Sequence, residues 1–534
     1  MVDMSATHDV IVVGAGFAGL YAVHKLRGQG LGVQAFERGD DVGGTWYWNR
    51  YPGARCDIES MEYSYSFSEE LQQEWEWKEK FAGQPEILAY LRHVADRFDL
   101  RRSYRFGVSV VSAVYEADAR VWAVTLGDGS SCTSRYLVLA VGCLSNAMKP
   151  QIAGLDGFQG KVFHTGNWPH EGVDFSGQRV GIIGTGSSGV QAIPMIAQQA
   201  ADLTVFQRTA TYTVPARNAP LDPEEVRRVK SDYANFRRRN RRMIGARGAD
   251  RLQHNPKSVF EATPEERRDA FLARWAEGGM GIQATYHDLR TDPAANAIVA
   301  DFVRDQIREI VTDPVKAELL CPKQTLGCKR MCIDTNYYAT FNQPHVHIVD
   351  VKANPISHFT ASGLVAGGNE TPLDSLVFAT GFDAMTGSLL AIDIRGREGL
   401  SLRDAWAAGP RTYLGVGTVG FPNMFILVGP GSPSVLANVV IAAEQHVEWV
   451  ADLIEHLDRQ CATAIEPRQE AQDEWVDHVN AVAEGTLYTS CDSWYLGANV
   501  PGKARVFMPL FGFPAYEARC NAVAADGYVG FDIS

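Results

Sequence analysis

No apolar run long enough to cross a bilayer as a helix, about 18 residues, occurs in this chain of 534 residues. A membrane-spanning role is therefore not expected. An excess of basic charge is also missing. Lys and Arg number 50 against 63 Asp and Glu, for a formal net charge of −13, so the global balance gives no support to nucleic-acid binding. Paired cysteine motifs are absent. Nine cysteines are scattered along the chain, and the closest group, Cys321, Cys328 and Cys332, has neither a C-x-x-C pair nor suitably spaced histidines. No metal is expected, and the cysteines read as reduced thiols of a cytoplasmic protein. His345 and His347 share a strand face without a third ligand and read as strand histidines. Met1 to His8 carry neither a basic segment nor a cleavage pattern, which argues against a signal peptide. What remains is an ordinary globular composition, 46% hydrophobic and 21% charged, with length for roughly three or four domain-sized units.

Glycine is somewhat abundant, at 50 residues, and two clusters of it follow short apolar strands. After Asp9–Val13 comes Gly14-Ala15-Gly16-Phe17-Ala18-Gly19, then a helix over Leu20 to Arg27 and a strand ending at Glu37, 23 residues past Gly14. Such glycines allow the turn, the approach of backbone to a pyrophosphate and close helix packing, while the terminal acid meets ribose hydroxyls. The second cluster, Gly184-Thr185-Gly186-Ser187-Ser188-Gly189, follows Val180–Ile183. At the same offset stands Gln207, followed by Arg208. An acid suits a free 2′-hydroxyl; its loss beside a guanidinium suits a 2′-phosphate. The first cluster therefore predicts FAD and the second NADPH.

Between them, Thr45-Trp46-Tyr47-Trp48 leads to Tyr51-Pro52-Gly53, an aromatic loop suited to a flat ring system. Only Cys56 stands there, so the paired cysteines of a flavin disulfide reductase are missing. The pattern predicts an α/β fold with two dinucleotide-binding, Rossmann-like domains, the NADP domain carrying a helical insert. The FAD domain takes residues 1–145 and 380–534, the latter with a C-terminal loop. The NADP domain takes 146–215 and 323–379, and the insert 216–322. Phe236-Arg237-Arg238-Arg239-Asn240-Arg241-Arg242, within the insert, reads as a solvated helix face.

Two longer motifs carry a resemblance. Phe158-x-Gly160-x-x-x-His164-x-x-x-Trp168-Pro169 and Gly44-x-Trp46-x-x-x-x-Tyr51-Pro52-Gly53-x-x-x-Asp57 resemble the fingerprints of type I Baeyer–Villiger monooxygenases. The likeness runs from Asp9 to Phe531 and is nearest to the phenylacetone and steroid monooxygenase branch. It implies an FAD enzyme using NADPH and O2 to convert ketones to esters or lactones through a C4a-peroxyflavin and a tetrahedral adduct. The alternative is a flavin monooxygenase that hydroxylates nitrogen or sulfur. By the resemblance, Arg330 is the active-site cation and Asp57 its carboxylate partner. The FAD contacts are Gly14, Gly16, Ala18, Gly19, Glu37, Thr45, Trp46, Tyr47, Trp48, Asp57, Tyr63, Val110 and Val439. The NADP contacts are Arg55, Cys56, Asp57, Thr185, Gly186, Ser187, Ser188, Gly189, Val190, Gln191, Arg208, Thr209, Lys329, Arg330 and Trp494. Ser434, Val435 and Leu436 form the substrate-pocket loop, and His164 links the nucleotide domains rather than moving protons. Cys143 departs from relatives, which often carry glutamine or proline near the flavin. A fairly open apolar pocket for cyclic or aryl ketones is expected, in a monomer or weak homo-oligomer.

Overall fold

The computed structural model describes residues 7–252 and 255–534; the N-terminal reading, up to residue 6, lies outside them. Each glycine cluster heads its own sheet. In the strand Thr7–Val13, the residues Val10, Ile11 and Val12 are fully buried, as befits a central strand covered on both faces. It pairs in parallel with Val33–Phe36 on one side and Ser131–Leu139 on the other. Outward from Ser131–Leu139 lie Val121–Leu126, Val110–Glu116 and Asp393–Arg395; Tyr104–Arg105 closes the opposite edge. Met424–Ile426 also pairs with Ser131–Leu139.

The second sheet is wholly parallel. Its five strands run in the order Val346–Asp350, Asp202–Gln207, Arg179–Ile183, Ser375–Phe378 and Lys161–His164. The fold is thus α/β with two dinucleotide-binding units. The helices Phe17–Gly28 and Ser187–Ala197 spring directly from the glycine loops, and neither has a side-chain cap at its N-terminus. Their first-turn N–H groups remain available to an anion.

Between Pro215 and Cys332 the chain makes a helical excursion whose root is fastened by parallel pairing of Thr213–Pro215 with Cys332–Asp334. Four of its helices, Pro223–Ser231, Pro264–Glu277, Pro293–Ile310 and Pro314–Leu320, begin with proline behind an Asp or Thr cap that accepts a first-turn N–H. Proline loses nothing there because its missing N–H has no helical partner.

Two sequence expectations are corrected. The arginine run is not wholly a solvated face. Arg238 and Arg242 are exposed, but Arg237 is buried, donating to Gln72 Oε1, Ser64 Oγ and the carbonyls of Glu62 and Tyr65. A guanidinium has enough donors to satisfy several buried acceptors at once. Nor are all cysteines reduced. Cys328 and Cys491, 163 residues apart, form a disulfide, and the other seven are free. Local spacing carries no trace of a pairing that only the folded chain brings together.

Candidate active site

A cavity of about 1520 Å³ lies between the two sheets and is lined by both glycine loops. That exceeds the volume usual for one drug-sized ligand, roughly 300–1,000 Å³.

On the first side, Gly14 has φ +109°, and a Cβ there would stand 2.5 Å from Ala140 O. A Cβ on Gly19 would meet Gly14 O at 1.8 Å, so Gly19 serves helix packing and does not line the cavity. Glu37 is fixed at the strand end, accepting N–H bonds from Ala15 at 2.8 Å and Gly39 at 2.7 Å. Trp46 Nε1 donates to the Tyr63 hydroxyl at 3.2 Å, and Gly16, Ala18, Thr45, Trp48, Val110 and Val439 line the same wall. Tyr47 does not; its hydroxyl donates to Asp40.

The second side repeats the geometry. Gly184 has φ +110°, with a hypothetical Cβ 2.4 Å from Ala379 O, and a Cβ on Gly189 would meet Gly184 O at 2.2 Å. Thr185, Gly186, Ser187, Ser188 and Gln191 line the cavity, whereas Gly189 and fully buried Val190 pack the helix onto its sheet. A Cβ on Gly186 would find nothing within 4 Å, the open space an entering phosphate needs. Gln191 accepts from the Tyr51 hydroxyl at 2.8 Å and donates to Arg55 O at 3.0 Å, holding the aromatic loop and lining residues Arg55 and Cys56 against this helix. Past the strand end, Arg208, Thr209, Lys329 and Lys352 reach the cavity. Burial lowers the Lys329 pKa, and Arg208 lowers it further. A cation cluster in that state is relieved by a dianion. Ser493 Oγ, Ser388 Oγ and Asn499 Oδ1 are buried polar atoms without hydrogen-bond partners, on residues that line the cavity. The residues present therefore fit two phosphate-bearing ligands.

Where the two sides meet stand Arg330 and Asp57. The guanidinium grips the carboxylate through Nε and Nη2, both at 2.8 Å, and Nη1 donates to Val435 O at 2.8 Å. Burial opposes both charges. On Asp57 it is outweighed by Arg330 and Arg247, which hold the carboxyl below its usual range. On Arg330 it is outweighed mainly by Asp57, which raises the pKa, so the guanidinium stays charged.

Of the expected pocket loop only Val435 lines the cavity. Ser434 is fully buried and donates to Val428 O at 3.2 Å, and Leu436 packs toward Tyr495 and Phe507. None of the fingerprint residues Phe158, Gly160, His164, Trp168 and Pro169 touches the cavity. His164 Nδ1 accepts from Gly166 N–H at 2.9 Å, which leaves Nε2–H to donate to Met148 O at 3.0 Å, with Thr380 Oγ1 at 3.3 Å. One imidazole, its pKa lowered by burial, thus touches both chain crossings between the sheets.

Two participants escaped sequence reading. Tyr495 is fully buried and its hydroxyl acts on the charge of Arg330, and only its place beside Trp494, which does line the cavity, could have hinted at it. Arg247 lies in a short loop of the helical excursion, without any motif, yet acts electrostatically on Asp57 and Arg330.

Fold and site together define a two-dinucleotide oxidoreductase, and the model of the pyridine nucleotide-disulphide oxidoreductase family matches residues 11–270. Among curated proteins, a Baeyer–Villiger monooxygenase of Pseudooceanicola batsensis is 44% identical over 98% of this chain and 96% of its own. A phenazine N-monooxygenase of Lysobacter antibioticus is 42% identical over 99% and 98%. The solved structure of an oxidised steroid monooxygenase bound to NADP superposes with a TM-score of 0.94 at 52% identity, covering 99% of both chains. The chain belongs to the Baeyer–Villiger monooxygenase family.

Proposed function

We propose that this chain is an FAD-dependent monooxygenase that oxidises NADPH and places one atom of O2 beside a ketone carbonyl. The balance is ketone, O2, NADPH and a proton in; ester or lactone, NADP+ and water out. The single observation carrying this reading is the buried Arg330–Asp57 pair at the meeting point of the two glycine-loop sites. When bound, the flavin supplies activated oxygen at the expense of NADPH.

The chain's own residues supply placement and charge. Arg330 presents a permanent cation to developing negative charge, and Asp57 fixes its plane. Glu37 is placed for the ribose of FAD, and Arg208 with Lys329 for the 2′-phosphate of NADPH. Cys143, Leu144 and Val435 give the ketone an apolar wall, which favours cyclic or aryl ketones. His164, neutral and bonded on both ring nitrogens, is a link between the units, not a proton carrier. We assign residues 1–145 and 380–534 to the FAD unit, 146–215 and 323–379 to the NADP unit, and 216–322 to the insert. Among the described residues no helix is long and apolar enough to cross a membrane. The large exposed apolar side chains, such as Phe260 and Val315, come singly from separate segments, which supports a monomer or weak homo-oligomer; the cytoplasmic placement rests on the resemblance alone.

The test is mass spectrometry of products from cyclic, aryl and steroid ketones under isotopically labelled oxygen. One labelled atom in an ester is expected, and its loss in Arg330→Ala. Full oxygenation by that variant would remove Arg330 from the role. The N-monooxygenase relative gives a second reading, oxidation of an aromatic nitrogen. N-oxides formed faster than esters in the same panel would establish it.

A further inference from the structure

The loop that closes the cavity is bonded covalently to the segment that bears Arg330. Cys328 stands just before Lys329 and Arg330; Cys491 stands just before Asp492, Ser493, Trp494 and Tyr495; their sulfurs are joined. The loop's far limb is held elsewhere. Asn499 Nδ2 donates to Phe382 O at 2.7 Å, and Lys503 Nζ donates to Asp383 Oδ1 at 2.5 Å and Ala384 O at 2.7 Å. Those bonds fasten the far limb to the crossing that leaves the second sheet. On the near limb the Tyr495 hydroxyl acts electrostatically on Arg330, and Ser493 Oγ, buried there, has no partner.

We propose that Cys328 and Cys491 are positioning residues: their disulfide holds the Ser493–Tyr495 turn over the coenzyme side of the cavity, and thiol exchange at Cys491 releases it. The proposal rests on the reading that this cavity binds NADPH. Cys328 is fully buried, while Cys491 is partly exposed, so a small thiolate meets Cys491 Sγ first. A new bond forms there, the protein S–S bond breaks, and the electron pair leaves on Cys328 Sγ. That thiolate then takes a proton from water. A second thiol then frees Cys491, so that two small thiols become one small disulfide and the protein gains two thiols. A small disulfide reverses the exchange. Competing thiols near the cavity are poor nucleophiles: burial pushes Cys143 up and Cys332 up to about 12.

The experiment uses the FAD-loaded full chain, oxidised or treated with a phosphine reductant and desalted. Alkylation and mass spectrometry after unfolding should count seven free thiols before reduction and nine after it. On reduction, the apparent KM for NADPH should rise roughly tenfold, the scale of one lost contact to a charged group. Product formed per NADPH consumed should fall, while kcat for NADPH oxidation holds and the circular dichroism spectrum stays unchanged. Cys491→Ser should match the reduced enzyme with and without phosphine treatment, and Cys461→Ser should keep the full response. Equal KM and coupling in both states, or nine free thiols in the air-oxidised protein, overturns the proposal alone. No NADPH binding in either state overturns it together with the functional reading.

Discussion

The two glycine cradles are near copies in backbone and opposites at the strand end. Gly14 and Gly184 share a φ within a degree, +109° and +110°, and each would drive a Cβ into an alanine carbonyl, at 2.5 and 2.4 Å. Both following helices begin uncapped. Yet Glu37 is buried and held by two backbone N–H groups, whereas Arg208 is exposed on the cavity rim beside a lysine whose charge burial disfavours. The shared part is what any pyrophosphate requires. The specific part is confined to one or two side chains, where evolution can alter coenzyme choice without disturbing the fold.

The largest effect should come from the glycines. Gly14→Ala combines a positive φ, worth about 1–3 kcal/mol of strain, with a backbone clash; the purified protein should lack flavin absorbance. Gly184→Ala should retain the flavin and lose NADPH oxidation. If both variants lose the same cofactor, the comparison fails. Next is Asp57→Asn, which leaves Arg330 buried without its charge partner. A loss of about 3 kcal/mol in unfolding free energy is expected, along with product formation reduced more than flavin content.

Smaller, and directed at the strand ends, is Arg208→Ala. It should raise KM for NADPH roughly tenfold and change that for NADH little. The same preference should depend on pH. Lys329 has a lowered pKa, so its charge is lost as pH rises through that value, and the advantage of NADPH over NADH should shrink on the alkaline side. Titration of both coenzymes against pH checks this. Away from the strand ends, and conditional on pH, is Glu62, which accepts from Gly248 N–H at 2.9 and 3.1 Å and whose carboxyl is pushed up to about 7 by burial, then by Glu59. Between the ordinary carboxylate range and pH 7 the folded state keeps a proton that the unfolded chain releases. Stability therefore falls as pH rises through that window, by about 3 kcal/mol at most. Glu62→Gln should flatten the melting temperature between pH 5 and pH 8, and a profile parallel to wild type would discard this account.

Much of this architecture could be read locally. Glycine loops, a terminal acid 23 residues on and, in the second unit, a glutamine at that offset followed by an arginine mark sites within about 25 residues, and Glu37 and Arg208 each directly follow the strand that the offsets imply. What local pattern could not tell was direction. Within unbroken motifs, Gly19, Gly189 and Val190 face their sheets, Tyr47 turns to Asp40, and Ser434 and Leu436 turn from the cavity that Val435 meets. Long-range partners were invisible for another reason. Arg237 is buried by carbonyls of residues 62 and 65, Arg247 by charges from distant segments, and Cys328 by a sulfur 163 positions away. Nothing near them in sequence reports those neighbours.

The late entry of Met424–Ile426 beside Ser131–Leu139 has a consequence for how the chain is made. Every strand of the second sheet falls between Lys161 and Phe378, so that sheet can close while the ribosome is still working. The first sheet, begun at Thr7, must wait for Asp393–Arg395 and Met424–Ile426, with its early strands exposed meanwhile. In synthesis the order of the sheets is inverted: the unit that is written first is completed last.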